Sequence, residues 1–251
     1  VLEAWVYLKP AHAWLNLVGF VSLIIATTLL HFFPTVIGAR IVRVPAAYAT
    51  PIGLAGGVAL VALGFALRSD LAARIGALLI VIGALALATY AAQVWRTRAT
   101  WSGDHGWHRF AMGGLASAIA WFVVGILVAT SRILLDGAAP AAVRIDPLAG
   151  PLIAGWTGLA ILASATHLLP AIGPGDPYEH ARQRALLGRL ATPRLVAADI
   201  GVAALTMGLV LGEDKLTVSA VLLLGAALGL TASLLFAATL SGIRNVRSAS
   251  A

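Results

Sequence analysis

Apolar residues in this chain neither alternate nor mark one face of a helix; they run almost unbroken for about twenty residues at a time. Seven such runs cover 12–33, 49–67, 71–95, 109–134, 148–169, 193–212 and 215–242. A bilayer's hydrocarbon core of roughly 30 Å takes about 20 helical residues to cross. The pattern therefore predicts an all-α, polytopic membrane helix bundle of about seven transmembrane helices, forming one membrane domain over 1–251. Pro51 and Pro193, each after Ala-Thr, are expected in the first turn of their helices, where a missing N–H costs little. No intervening loop is long enough to form a second domain. The DPYEHARQR stretch reads as a charged loop.

The first run is bracketed as PAHAWLNLVGFVSLIIATTLLHFFPTVIGARIVR, Pro10 to Arg43. A weaker copy follows as PLIAGWTGLAILASATHLLPAIGPGDP, Pro151 to Pro177. Gly155, Trp156, Leu159, His167 and Pro170 stand where Gly19, Phe20, Leu23, His31 and Pro34 stand before. The Ala-Thr-Pro segments extend the match to a second helix. Arg96 and Arg98 after the third run answer Arg244 and Arg247 after the seventh. The expectation is an internal parallel duplication of a four-helix unit. Repeat one spans 10–135 and repeat two spans 147–247, the latter incomplete because its fourth helix is absent or lies beyond Ala251.

Charge orients the bundle. Eleven arginines fall at one set of loop ends, against six Lys or Arg on the other, in strict alternation. By the positive-inside rule the N-terminus is outside and the C-terminus inside. The net charge of +7 is thus accounted for by arginines near anionic lipid rather than by nucleic acid. Sixty per cent hydrophobic and eleven per cent charged residues exclude a soluble domain and a disordered chain alike. The first run is too long, and lacks the basic start, of a cleaved signal peptide. The chain opens on valine, which points to a trimmed precursor or a piece of a longer protein. With no cysteine, disulfides, iron–sulfur clusters and thiolate copper centres are excluded.

Histidines carry the candidate chemistry. His12 and His31 lie at opposite ends of the first run, roughly 28 Å apart along a helix, too far to share a metal. The repeat puts His31 and His167 at one depth, so two facing imidazoles could hold a haem iron axially or contribute to a copper site. The structural alternative is that each caps carbonyls freed by Pro34 or Pro170. In WSGDHGWHRFAM, His105 and His108 are three apart with Asp104 before them and Met112 a turn later. That set could chelate a metal, with the thioether suited to copper(I), although solvated His pairs in loops are common. His180 reads as an exposed residue among charges. Asp199 is the one acid well inside a run; it would serve as a proton or ion relay, or pair with Arg194 or a neighbouring helix. Glycine-rich second, third and seventh runs read as close helix packing.

The first span resembles helix II of the haem–copper oxidase catalytic subunit superfamily, including its NnrS-like members. It is also similar to the membrane domain associated with actinobacterial multicopper oxidases and copper nitrite reductases, which carries His-Leu-x-Pro-Thr-like segments. The resemblance covers about thirty residues well and the second copy weakly. It implies that His12, matching by position, ligates a low-spin haem, followed by Asn16, Gly19 and a Pro34-to-Gly38 turn. The chain departs from the pattern: it has no His-Pro-Glu-x-x-Tyr segment and no paired histidines on a late helix, and Leu148 stands at the point equivalent to His12. An oxygen-reducing centre of the usual kind is not expected. The expectation is a bacterial inner-membrane protein binding haem b or copper through His31, His167 and His12, for electron transfer or metal handling. Its rival is a cofactor-free accessory subunit or anchor, packed against other membrane subunits or a copper enzyme.

Overall fold

The structure, a computed structural model, describes residues 2–98, 106–139 and 146–249. It is helical throughout, with no strand among the described residues. Helix α1 (Leu2–Trp14), a π-helical segment (Leu15–Ser22) and α2 (Leu23–Val36) run end to end as the first span. Then follow α3 (Pro45–Leu67), α4 (Asp70–Trp95) and α5 (Gly106–Asp136). A short 3₁₀ turn (Asp146–Leu148), a second π segment (Ala149–Gly158) and α6 (Leu159–Ile172) form the fifth span. After α7 (Pro177–Leu187), α8 (Ala191–Leu211) and α9 (Asp214–Ala249) complete the bundle. Seven stretches are long and apolar enough to cross a membrane, and they coincide with the seven runs in the sequence. The chain is a multi-pass helical membrane protein.

Two local expectations need correction. The DPYEHARQR stretch is not a loop: Asp176 caps α7 by accepting from the Glu179 amide at 2.8 Å, and Pro177 takes the first helical position. Pro51 does not start its helix either. Pro45 fills that place, so α3 begins six residues earlier and Pro51 lies inside it. A proline inside a helix orphans a carbonyl one turn back. For Pro34 that carbonyl is Leu30 O, and the hydroxyl of buried Tyr90 on α4 donates to it. Tyr90, not His31, fills this gap.

The α3–α4 and α8–α9 hairpins follow one plan, with residue numbers shifted by 144. Each first helix ends on a left-handed residue, Arg68 (φ 55°) or Gly212 (φ 72°). The amide of Ser69 donates to Gly64 O at 2.7 Å, and that of Glu213 to Gly208 O at 2.9 Å. A Cβ on Gly64 would lie 2.5 Å from Ala73 N, and one on Gly208 2.8 Å from Thr217 N, so both helix pairs touch through backbone. Buried Gly57, Val58, Val61, Ile80 and Val94 find buried counterparts in Gly201, Val202, Leu205, Leu224 and Ala238. This register is two residues off the one implied by the Ala-Thr-Pro segments.

The two π segments also share a feature. In a π turn, carbonyls face groups five residues on. Ser22 Oγ donates to Leu17 O at 2.7 Å, and Thr157 Oγ1 to Leu152 O at 2.9 Å, both over that five-residue step. At the centre, fully buried Trp156 stacks on Phe122 of α5 with ring centroids 4.5 Å apart. Its Nε1 donates to Ser22 Oγ at 3.0 Å, joining the first, fourth and fifth spans.

Candidate metal centre at the arginine-rich end

Helices α5 and α6 approach closely where Gly114 faces Ala163; a Cβ on that glycine would lie 2.8 Å from the Ala163 methyl. Because α5 starts, and α6 ends, at the arginine-rich side, this contact brings His108 and His167 together. Their ring centroids are 5.8 Å apart with planes at 57°. Trp107 completes a triangle, 5.5 Å from His167 in a stacked arrangement and 5.2 Å from His108 edge-on. Phe32 of α2 sets its edge against His167 at 5.9 Å. His108 is buried, and His167 Nδ1 is buried with no hydrogen-bond partner among the described residues.

A buried ring nitrogen without a partner forfeits a hydrogen bond it would have in water, and a site that leaves one open needs an occupant or a reason. The spacing fits an ion. With metal–nitrogen bonds of about 2.0 Å, two imidazoles on one ion place their centroids roughly 5–6 Å apart. Met112 is buried one turn beyond His108 on the same helix face. Beside Trp107, a cavity of about 380 Å³ is lined by Gly106, Ala181, Arg184 and Gly188, so the cluster adjoins a polar vestibule under α7.

The other expected site residues are placed differently. His31 is exposed: its neighbour Phe32 takes the inward position, and a step of one residue turns the helix by about 100°. It does not meet His167, so equal depth along two spans did not bring those two together. His12 is exposed at the opposite end, its Nε2 3.0 Å from Asn16 Nδ2. His105 and Asp104 lie outside the described residues. His180 is half-buried, its Nε2 donating to Gly173 O at 3.0 Å, rather than free among charges. Among the described residues no group of three or more His, Cys, Asp or Glu side chains is gathered for a metal.

Asp199 joins two helices. It accepts from Ser117 Oγ and, at 2.9 Å, from Trp121 Nε1, both on α5. Arg194 does not pair with it. The buried guanidinium instead donates to Leu187 O at 2.6 Å, Arg189 O at 3.0 Å and Thr231 Oγ1 at 3.0 Å, and lies 4.5 Å above the Phe110 ring. Four fixed partners make Arg194 a clamp between α5, α8, α9 and the α7–α8 turn. Outside the spans, the Asp176 carboxyl is held below its ordinary value, chiefly by the Glu179 amide it accepts.

Sequence reasoning named His108, His167 and Met112 but in two separate sets. The paired Trp107-His108 at the start of an apolar helix, facing the His-Leu-Leu-Pro end of another, is the signal that would have joined them. Comparison with known families, curated proteins and solved structures finds no match to this chain.

Proposed function

We propose that this protein holds a single copper ion between His108 and His167 and serves electron transfer or copper handling in a bacterial inner membrane, N-terminus outside. The observation that carries this reading is the buried, unpartnered His167 Nδ1 beside a second imidazole at single-ion spacing. Two imidazoles with the Met112 thioether make a soft set suited to copper(I). Haem b is less favoured, because a macrocycle between the two rings would collide with Trp107, which packs on both. We also read the two halves as copies of one four-helix unit, the second lacking its fourth helix. The common register of the hairpins and the paired π segments support that reading.

The test is metal analysis with optical and EPR spectra on detergent-purified protein, loaded with copper and washed. About one copper per chain is expected, since the two rings are spaced for one ion. It should be lost in both His108→Ala and His167→Ala and kept in His12→Ala and His31→Ala. Iron with a Soret band that vanishes in His167→Ala would replace copper by haem. A folded, metal-free protein under all loading conditions would overturn the reading and leave the accessory subunit.

A further inference from the structure

The two copies of the first helix bury different amounts of the same face. With numbers shifted by 136, Trp156 is fully buried while its counterpart Phe20 is 63% exposed, and Ala160 at 3% answers Ile24 at 51%. Buried Pro151 and Leu152 likewise answer exposed Leu15 and Asn16. The cover in the second half is α5. Gly125 of α5 crosses over Pro151 and Leu152, Trp121 lies on Gly155, Phe122 stacks on Trp156, and His108 sits beside His167. Every one of those contacts has its receiving residue in the first half, uncovered, ending with exposed His31. The same difference marks the hairpins: α4 buries Ala77 fully, while the matching Val221 of α9 is 52% exposed.

We propose that this open face of the first span is the seat of an eighth transmembrane helix contributed by a partner polypeptide. The inference rests on reading the halves as copies, but not on a bound metal. What fills the seat follows from α5: an apolar helix running antiparallel to α9, with a small residue crossing Leu15, an aromatic ring on Phe20 and an imidazole beside His31. Apolar surface alone would not demand it, since lipid covers apolar helices at no cost. The polar groups do: Asn16 and His31 lie on that face within a span, where lipid offers no hydrogen bond. A second copy of this chain is the poorer occupant. Two copies related by an axis normal to the membrane would offer α9 parallel to α9, whereas α5 meets α4 antiparallel.

The chain contains no cysteine, so single labels can be placed cleanly. Spin labels at Phe20→Cys and, as a lipid-facing control, at Ile82→Cys report oxygen collision rates in native membranes and in purified protein reconstituted in phosphatidylcholine vesicles. A photo-crosslinking residue at position 20 or 82, followed by mass spectrometry, identifies the neighbour. The expected result is a low collision rate at position 20 in native membranes that rises several-fold on purification, with none at 82. It is accompanied by a crosslink from 20, and none from 82, to a transmembrane segment of another polypeptide that carries an aromatic residue and a histidine. Equal collision rates at both positions in native membranes, crosslinks to lipid alone, or crosslinks to a second copy or to the same polypeptide would overturn the proposal. A metal-free preparation that still gives the crosslink would separate this result from the fate of the copper reading.

Discussion

The α3–α4 and α8–α9 hairpins share a backbone plan but not its filling, and the contrast shows where chemistry enters this bundle. In α3–α4, glycine meets backbone from both sides: Gly57 lies under Gly76, and Gly53 under Gly83. In α8–α9 the matching residues Ala220, Leu224 and Ala227 have acquired side chains. The polar residues differ more. Buried Thr50 bonds only to its own helix, at Ala46 O, 2.9 Å away, whereas Arg194 in the matching place spans several elements. Exposed Ala55 answers Asp199. Charged groups appear on the hairpin that α5 covers and not on the one facing outward. A membrane helix keeps an acid or an arginine where another helix supplies its partners.

The sharpest way to break the comparison is a methyl group. Gly57→Ala would press a Cβ to 2.7 Å from the Gly76 carbonyl oxygen, whereas in Gly201→Ala the nearest atom is the Leu224 Cγ at 2.7 Å. Backbone cannot yield and a leucine can turn, so we expect about 3 kcal/mol against about 1 kcal/mol. Steric-trapping unfolding in bicelles measures both; equal losses would mean the hairpins pack alike. Next, Asp199→Leu should cost about 1–2 kcal/mol by stranding the Ser117 and Trp121 donors, while Asp199→Asn keeps an acceptor and Ala55→Leu changes little. A full loss of stability in Asp199→Asn would instead point to a need for the charge.

Smaller still is Tyr90→Phe, which removes the only partner found for Leu30 O among the described residues. A cost of about 1 kcal/mol is expected, with amide exchange rising around Pro34. The least effect is acid on α7. The Asp176 carboxyl titrates below its free value, so its stabilisation is complete above the unfolded carboxylate range and fades as pH falls through the lower, folded value. Glu179 amide exchange should quicken there, and Asp176→Ala should remove the step. The first half's loop at 37–44 carries no carboxylate and should show no such step.

The spans were legible because twenty apolar residues in a row have one common explanation. The cap of α7 was also written in the sequence, as Asp176-Pro177 followed by Glu179, but the charged stretch was read as a loop because its helix is short and polar. The pairing of His108 with His167 was not legible. Depth can be counted along a span, but facing depends on which helix lies alongside. The π segments also break the 3.6-residue period that would carry facing from Trp14 to His31. For the same reason His31, at the same depth as His167, turned out to look the other way.

A π turn is an α-helix holding one residue more than its pitch requires. Deleting a single residue from 15–22 would restore the ordinary pitch and turn the rest of the span by about 100°. Phe33 would then take the place of Phe32 against His167, aromatic for aromatic, while His31 would leave its present side. The phase of the span, set by one residue of chain length rather than by any side chain, decides which way its histidine looks.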